Sequence, residues 1–425
     1  MNNDTRDRLR RLGVHKGAGN LKPASRKPPR PGFERESPGP VEYARAPRSA
    51  AAKVPLWNVE QDTDYGLAYV RRTRYALDHR HGGWALQDVL TRPPHTLARL
   101  NNGVGIDLQQ ALFLDTETTG LAGGSGTLVF LVGLGYFDRR DSGVDSFVID
   151  QYFLDEPAQE AAMLSALNER VAQTQALITF NGRGFDVPLL ETRFTLSRLP
   201  SLFSDLAHLD LLLPARRAWR NELGSCSLGS LEYHMLDVRR DQQDIPGFLI
   251  PQLYREYLAD RNPAEMQRVM YHNLHDILSM VSLVSRLCGA VDAPANVGEY
   301  MAVGLYYENL GQLAEAEAVY SAALAKTTSG ASYQRVLYRM ADCLKRQNRR
   351  ANAAPYWRKL AESGDGEAWI ELAKHFEWHE VDLNQALTCA QAALALTRDH
   401  AAHDEIAHRI ARLERKSKEV HSKRL

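Results

Sequence analysis

The balance of apolar and polar positions changes three times along the chain. Over residues 1–50, large apolar side chains are sparse and Pro, Gly, Arg and Lys dominate. Over residues 54–110, aromatic and charged groups alternate without a clear period, which predicts a short β-rich or irregular lead-in packed on the next domain. From residue 111 dense apolar runs appear: Ala111–Asp115, Thr127–Phe137 and Asp145–Leu154, separated by Gly123-Gly124-Ser125-Gly126 and by the polar stretch Asp138–Gly143. Short apolar runs bounded by turn residues read as buried strands. Glu156–Gln173 has the helical period, with Met163, Leu164, Leu167 and Val171 on one face. Ala176–Phe180 reads as a fourth strand, Asn181–Asp186 as a turn, Val187–Leu196 as a helix start and Leu206–Leu211 as a fifth strand. Mainly helical segments follow to about residue 290. This succession predicts an α/β domain over 111–290, built on a mixed sheet flanked by helices.

Residues 297–412 keep the helical period throughout and are rich in Ala, Leu and Glu. One unit runs from Tyr306 through Leu310-Gly311 and Ala316 to Tyr320 and Ala323. A second spans Tyr338–Leu360, and a third spans Ala368–Leu396 with Ala386, Ala390 and Ala393. A spacing of roughly 34–36 residues resembles tetratricopeptide repeats, helix pairs that bury their faces only by stacking on neighbours. The expected organisation is thus a basic arm (1–50), a lead-in (51–110), the α/β domain (111–290), an all-α tetratricopeptide-like region (297–412) and a charged tail (413–425).

Composition narrows the classes. The 425 residues suit two or three domains, and 52 basic against 52 acidic side chains leave a net charge of +0, so no global field draws the chain to nucleic acid. The arm is locally basic, with 12 Lys/Arg against 5 Asp/Glu, a net of +7. It reads as a solubilising tail or as a weak tether to a phosphate backbone. Cys226, Cys288, Cys343 and Cys389 are scattered with no C-x-x-C pair, which argues against a zinc site or disulfide scaffold. The longest apolar run, Leu128–Phe137, is far shorter than the ~20 residues of a membrane span. The expectation is a cytoplasmic protein with no membrane segment.

The candidate chemistry is carboxylate chemistry. The first strand ends in Asp115-Thr116-Glu117, and alternation along a strand puts both acids on one face. Two buried carboxylates ~4 Å apart repel by ~4 kcal/mol at an effective dielectric near 20, which calls for a proton, a base or a metal. Oxygen ligands favour Mg²⁺ or Mn²⁺. Asp186 opens a helix after the Gly-rich turn, as a helix cap or as a third ligand. Asp276 lies on a later helix, with His272 one turn earlier and Tyr271 and His275 beside it. Four carboxylates can hold two divalent ions for phosphodiester hydrolysis, and a nearby His suits a general base at neutral pH. His208, Asp210, Arg216, Arg217 and Arg220 gather within thirteen residues and read as a phosphate-binding group or a solvated helix face.

Taken together, F-L-D-T-E-T-T-G-L (113–121), N-G-R-G-F-D-V-P (181–188) and H-N-L-H-D-I (272–277) resemble the DEDD 3′→5′ exonucleases of the RNase H-like fold. The likeness is greatest to the YprB-like group, whose further motifs are matched by L-D-L-L-L-P-A-R-R-A-W (209–219), C-S-L-G-S-L-E (226–232) and D-I-P-G-F-L-I-P (244–251). The resemblance implies Asp115, Glu117, Asp186 and Asp276 as ligands of two ions, Mg²⁺ or Mn²⁺. It implies Thr119 and Leu121 against the terminal nucleotide, and Asn181 and Arg183 supporting the substrate strand. It also implies single-stranded DNA or RNA as substrate. DEDD enzymes usually carry the base as a Tyr four or a His five residues before the last acid. Here His272 is at minus four and Tyr271 at minus five, so the two compete. The helical repeats imply a protein partner. Other readings are a nucleic-acid-binding scaffold without turnover and a phosphoesterase for small nucleotides.

Overall fold

The structure is a computed structural model that describes residues 55–120, 126–140, 143–241 and 243–422. The basic arm, Leu121 and the last three residues of the expected tail lie outside these. All described residues belong to one unit, 43–425.

Seven strands form one mixed sheet in the order β1-β2-β7-β6-β5-β8-β9. They are β1 (Val59–Thr63), β2 (Gly66–Ala76), β5 (Ala111–Thr118), β6 (Val129–Arg140), β7 (Gly143–Phe153), β8 (Ala176–Thr179) and β9 (Ala207–Asp210). The pairs from β1 to β5 are antiparallel, while β5–β8 and β8–β9 are parallel. A two-stranded hairpin, β3 (Arg80–His81) with β4 (Trp84–Ala85), stands apart. The five strands expected from the apolar runs are present, and the lead-in supplies β1 and β2 of the same sheet. The lead-in's mixture of aromatic and charged residues fits this: β2 alternates buried Ala68 and Val70 with partly exposed Arg71, Arg72 and Thr73.

Both faces of the sheet are covered. On the face of Leu112 and Leu114 lie α2 (Glu160–Val171), α3 (Asp186–Leu196) and α6 (Ile250–Asp260). On the face of Ala111 and Phe113 lie α1 (Pro94–Leu100), α4 (Leu212–Leu223) and the short α5 (Leu228–Leu231). The long α7 (Pro263–Asp292) serves both cores: Met266, Val269 and Met270 join the first, and Ile277 to Leu287 join the second. Its residues 271–276 therefore fall where the helix crosses from one core to the other. By length and composition α7 is apolar enough to cross a membrane, but 67% of that apolar window is buried in the protein, as in a core helix.

The remaining chain is helical: α8 (Val297–Asn309), α9 (Leu313–Leu324), α10 (Gly330–Arg346), α11 (Arg350–Glu362), α12 (Gly366–His375), α13 (Leu383–Leu396) and α14 (His400–Ser422). Small residues mark the helix contacts, with Ala316, Ala323, Ala353, Ala386 and Ala393 fully buried. Gly304 lies against the Tyr320 ring, where a Cβ would come within 2.2 Å. The charged last stretch is helical, as part of α14, to Ser422. Its residue Leu413 is fully buried, and buried Glu377 holds the helix through Arg409, Arg412 and Lys416 at 2.7–2.9 Å.

Candidate metal centre

Asp115 and Glu117 project from β5 on the face of Phe113, while Thr116 between them faces the other core. Asp115, Gly133 and Gln151 are cross-strand neighbours on β5, β6 and β7. Asn273 of α7 lies across all three. Its Nδ2 donates to the Asp115 carboxylate at 2.8 Å and to the Asp115 carbonyl at 3.2 Å, and its Oδ1 accepts from Gln151 Nε2 at 2.9 Å. The middle position has to be glycine, because a Cβ on Gly133 would sit 2.3 Å from Asn273 Oδ1. This clamp brings the polar turn of α7 onto the two strand acids.

Glu117, His272 and Asp276 each place one ligand atom within 4.8 Å of the others. His272 Nε2 is 3.6 Å from Asp276 and 4.0 Å from Glu117. Its Nδ1 is 2.6 Å from Asp244 and 3.2 Å from Arg240. A carboxylate only accepts, so the Asp244 contact puts the proton on Nδ1 and leaves the Nε2 lone pair facing the acids. Burial lowers the His272 pKa, but Asp276 and the Asp244 hydrogen bond outweigh it and leave it raised. Asp244 itself is held below its usual range: burial opposes this, and the His272 bond and Arg240 overcome it. Tyr271 turns elsewhere. Its ring packs on His275 at 4.1 Å, and burial with the nearby Asp241 carboxylate pushes its phenol up to about 12.

Asp186 is buried at the first position of α3 and reaches the end of β5 from the opposite face. Thr116 donates to its Oδ1 at 2.5 Å. Neither Asp186 nor Asp115 belongs to the group of ligand atoms within 4.8 Å of one another. Burial raises its pKa to about 6, against the Thr116 hydrogen bond. Asp115 and Glu117 are raised well above the usual carboxylate range, by burial first and by the neighbouring carboxylates second.

Of the substrate-facing candidates, Asn181 is exposed on the cleft beside Asp115, with a left-handed backbone at φ 68°. Buried Asp210 holds its turn, accepting from the backbone N–H groups of Asn181 at 2.8 Å and Arg183 at 3.2 Å. The Arg183 guanidinium is engaged by the His208 carbonyl. The Thr119 hydroxyl accepts from the Leu128 N–H at 2.9 Å, which ties the end of β5 to β6.

Sequence reasoning passed over Arg240. Its half-buried guanidinium pairs with Glu232 at 2.8 Å, with Asp244 at 3.5 Å and with Asp276. Glu232 is fixed in turn by Ser279 at 2.6 Å, and Ser279 by His81 at 2.8 Å. Glu232 and Asp244 lie in the motifs at 226–232 and 244–251; Arg240, in a charged run between them, carries no sequence signal.

Six carboxylates (Asp115, Glu117, Asp186, Glu232, Asp244 and Asp276) thus surround one guanidinium and one imidazole. The deficit of positive charge, the upward shifts of Asp115 and Glu117 and the all-oxygen acids fit a hard divalent cation.

Residues 112–288 match the RNase H superfamily, the stretch holding β5 and α7. The chain belongs to this superfamily, whose members are generally nucleases that use divalent metals. It is similar to the uncharacterized protein YprB of Bacillus subtilis (strain 168), with 33% identity over 369 residues, 82% of this chain and 86% of that protein.

Proposed function

We propose that the protein is a 3′→5′ exonuclease that removes nucleoside monophosphates from single-stranded DNA or RNA with two divalent ions, Mg²⁺ or Mn²⁺. The observation that carries this reading is the largely half-buried carboxylate set, short of positive charge, with His272 Nε2 turned toward it and Nδ1 held by Asp244. Asp115, Glu117, Asp186 and Asp276 would hold the ions. The chemistry such ions supply is neutralisation of the phosphate and a more acidic water. His272 is the general base: Asp244 fixes its tautomer and balances the charge it gains on taking the proton. Asn273 keeps the Asp115 carboxylate turned into the site. Asn181 and Thr119 would meet the terminal nucleotide.

The helix pairs α8–α9, α10–α11 and α12–α13 support a tetratricopeptide-like reading, with a protein partner as the occupant. The second functional reading is a nucleic-acid-binding protein without turnover. It is favoured by Arg240 and Asn273, which already engage oxygens of Asp276 and Asp115.

Single-stranded DNA and RNA labelled at either end, incubated with Mg²⁺, Mn²⁺ or chelator, separate the readings. The exonuclease releases mononucleotides progressively from the 3′ end and stops in chelator. Binding with no product in any metal leaves the scaffold, and internal cuts sink the exonuclease.

A further inference from the structure

An open cleft of about 580 Å³ runs from Asp115 and Asp276 to the exposed face of α4. Arg216, Arg220, Ser225 and Ser227 line it together with Phe180, which follows the β8 residue paired beside Asp115.

The two arginines are unlike the others in the neighbourhood. Arg193 pairs with Glu160, Arg240 with Glu232 and Asp276, and Arg286 with Glu299. Arg217, between them in sequence, turns away and donates to Asn102 at 3.2 Å. Among the described residues, the exposed side chains of Arg216 and Arg220 have neither a hydrogen bond nor an ion pair. They stand four apart on one helix, where like charges repel. Two unpaired guanidinium groups facing one cleft call for an anion with more than one charged centre. Phosphate suits the planar fork of Arg, and successive phosphates suit two forks one helical turn apart.

We propose that Arg216 and Arg220 hold two consecutive phosphates of a single-stranded polynucleotide whose 3′ end lies at the carboxylates. The inference rests on the nuclease reading and adds to it the strand's path: along α4 and away from the acids, with a base beside the half-buried ring of Phe180. A chain can engage the acids and both arginines of this one cleft at once.

The test is equilibrium binding of a fluorescent single-stranded twelve-mer to the full-length Asp115→Asn protein over a range of salt concentrations. For single strands, log affinity falls with log salt by ~0.7 per phosphate neutralised. Arg216→Gln with Arg220→Gln is expected to flatten that slope by ~1.4 and to weaken binding about tenfold or more at low salt. The paired lysine substitutions should restore most of the slope, and Arg217→Gln should leave it unchanged. An unchanged slope in the double Gln variant at wild-type melting temperature overturns the path, while 3′-end digestion by the wild type would still uphold the nuclease. A mononucleotide that competes as tightly as the twelve-mer overturns it as well. If the twelve-mer does not bind at all, the path and the nuclease reading fall together.

Discussion

Asp115 lies in a place that costs the metal-free protein stability, since its neighbours and its burial both oppose its charge. Asp115→Asn keeps an oxygen for Asn273 and removes the charge. We expect its melting temperature in chelator to rise, its gain from Mn²⁺ to shrink and its nuclease turnover to vanish. Retained Mn²⁺-dependent turnover would remove Asp115 from the ligand set. His272 is tested against Tyr271 in the same assay. Losing a general base costs ~10²–10⁴-fold in rate, so His272→Ala should lose that much turnover with ion affinity nearly unchanged, and Tyr271→Phe much less. A matching loss of ion affinity, measured by calorimetry, would make His272 a ligand, which its place within 4.8 Å of Glu117 and Asp276 also permits.

Two histidines away from the strand acids give a pH signature. Burial lowers His81 to about 3 and His208 to about 4. Depressed folded-state values mean that the stability they contribute is complete above the unfolded value near 6.5 and is lost as pH falls toward 4. Asp186 has the opposite sign: raised to about 6, its contribution is present below about pH 4 and lost as pH rises through 6. Comparing variants separates the two. His208→Gln, which still bonds Thr179, should melt with a flatter dependence between pH 6.5 and 4 than the wild type. A parallel curve would refute the assignment.

At the scale of elements, the site depends on how closely α7 lies on the sheet. A Cβ on Gly135 would meet Ile277 at 2.5 Å and Phe147 at 2.7 Å. Gly135→Ala should therefore push α7 outward, costing ~1–3 kcal/mol, or several degrees in melting temperature. Gly133→Ala should strike Asn273, release Asp115 and lower turnover beyond what the loss of stability explains. Gly289, on the same helix with open space around it, is the control. Its change to Ala should stabilise by ~0.5–1 kcal/mol. Equal effects at all three positions, read by thermal melts, would mean that close approach of helix and sheet does not matter.

For the whole molecule, the question is where the catalytic part ends. The composition shift near residue 296 suggests a cut there, but α8 packs on α4 across that boundary. Fully buried Trp219 donates to Glu299 at 2.9 Å, Arg286 pairs with Glu299 at 2.6 Å, and the Gly298 backbone lies so close to Ala218 that a Cβ would be 2.1 Å from its carbonyl. Removing α8 exposes the indole and leaves Arg286 without its acid. A chain ending at residue 296 should lose ~2 kcal/mol or more against one ending at 311, a difference of about 4–8 °C in melting temperature. Equal melting would make 296 a true boundary.

The order of strands and helices over 111–290, and the acids at the strand end, at one helix start and within a later helix, were legible from sequence because buried strands are short apolar runs and carboxylates interrupt them conspicuously. Helix periodicity likewise disclosed the region beyond 297. Local patterns could not reveal that the lead-in completes the sheet, because pairing with β7 supplies the burial that β2 lacks by itself. Nor could they reveal that Asp186 approaches from the opposite face, that Arg240 closes the carboxylate set, or that Arg217 turns away while its neighbours face the cleft. Each of those depends on residues distant in sequence, and on a helix crossing between two cores at the turn that carries His272, Asn273 and Asp276. Hydrophobic pattern determined which segments became strands and helices; charge balance inside the site was decided only when packing brought the charges together.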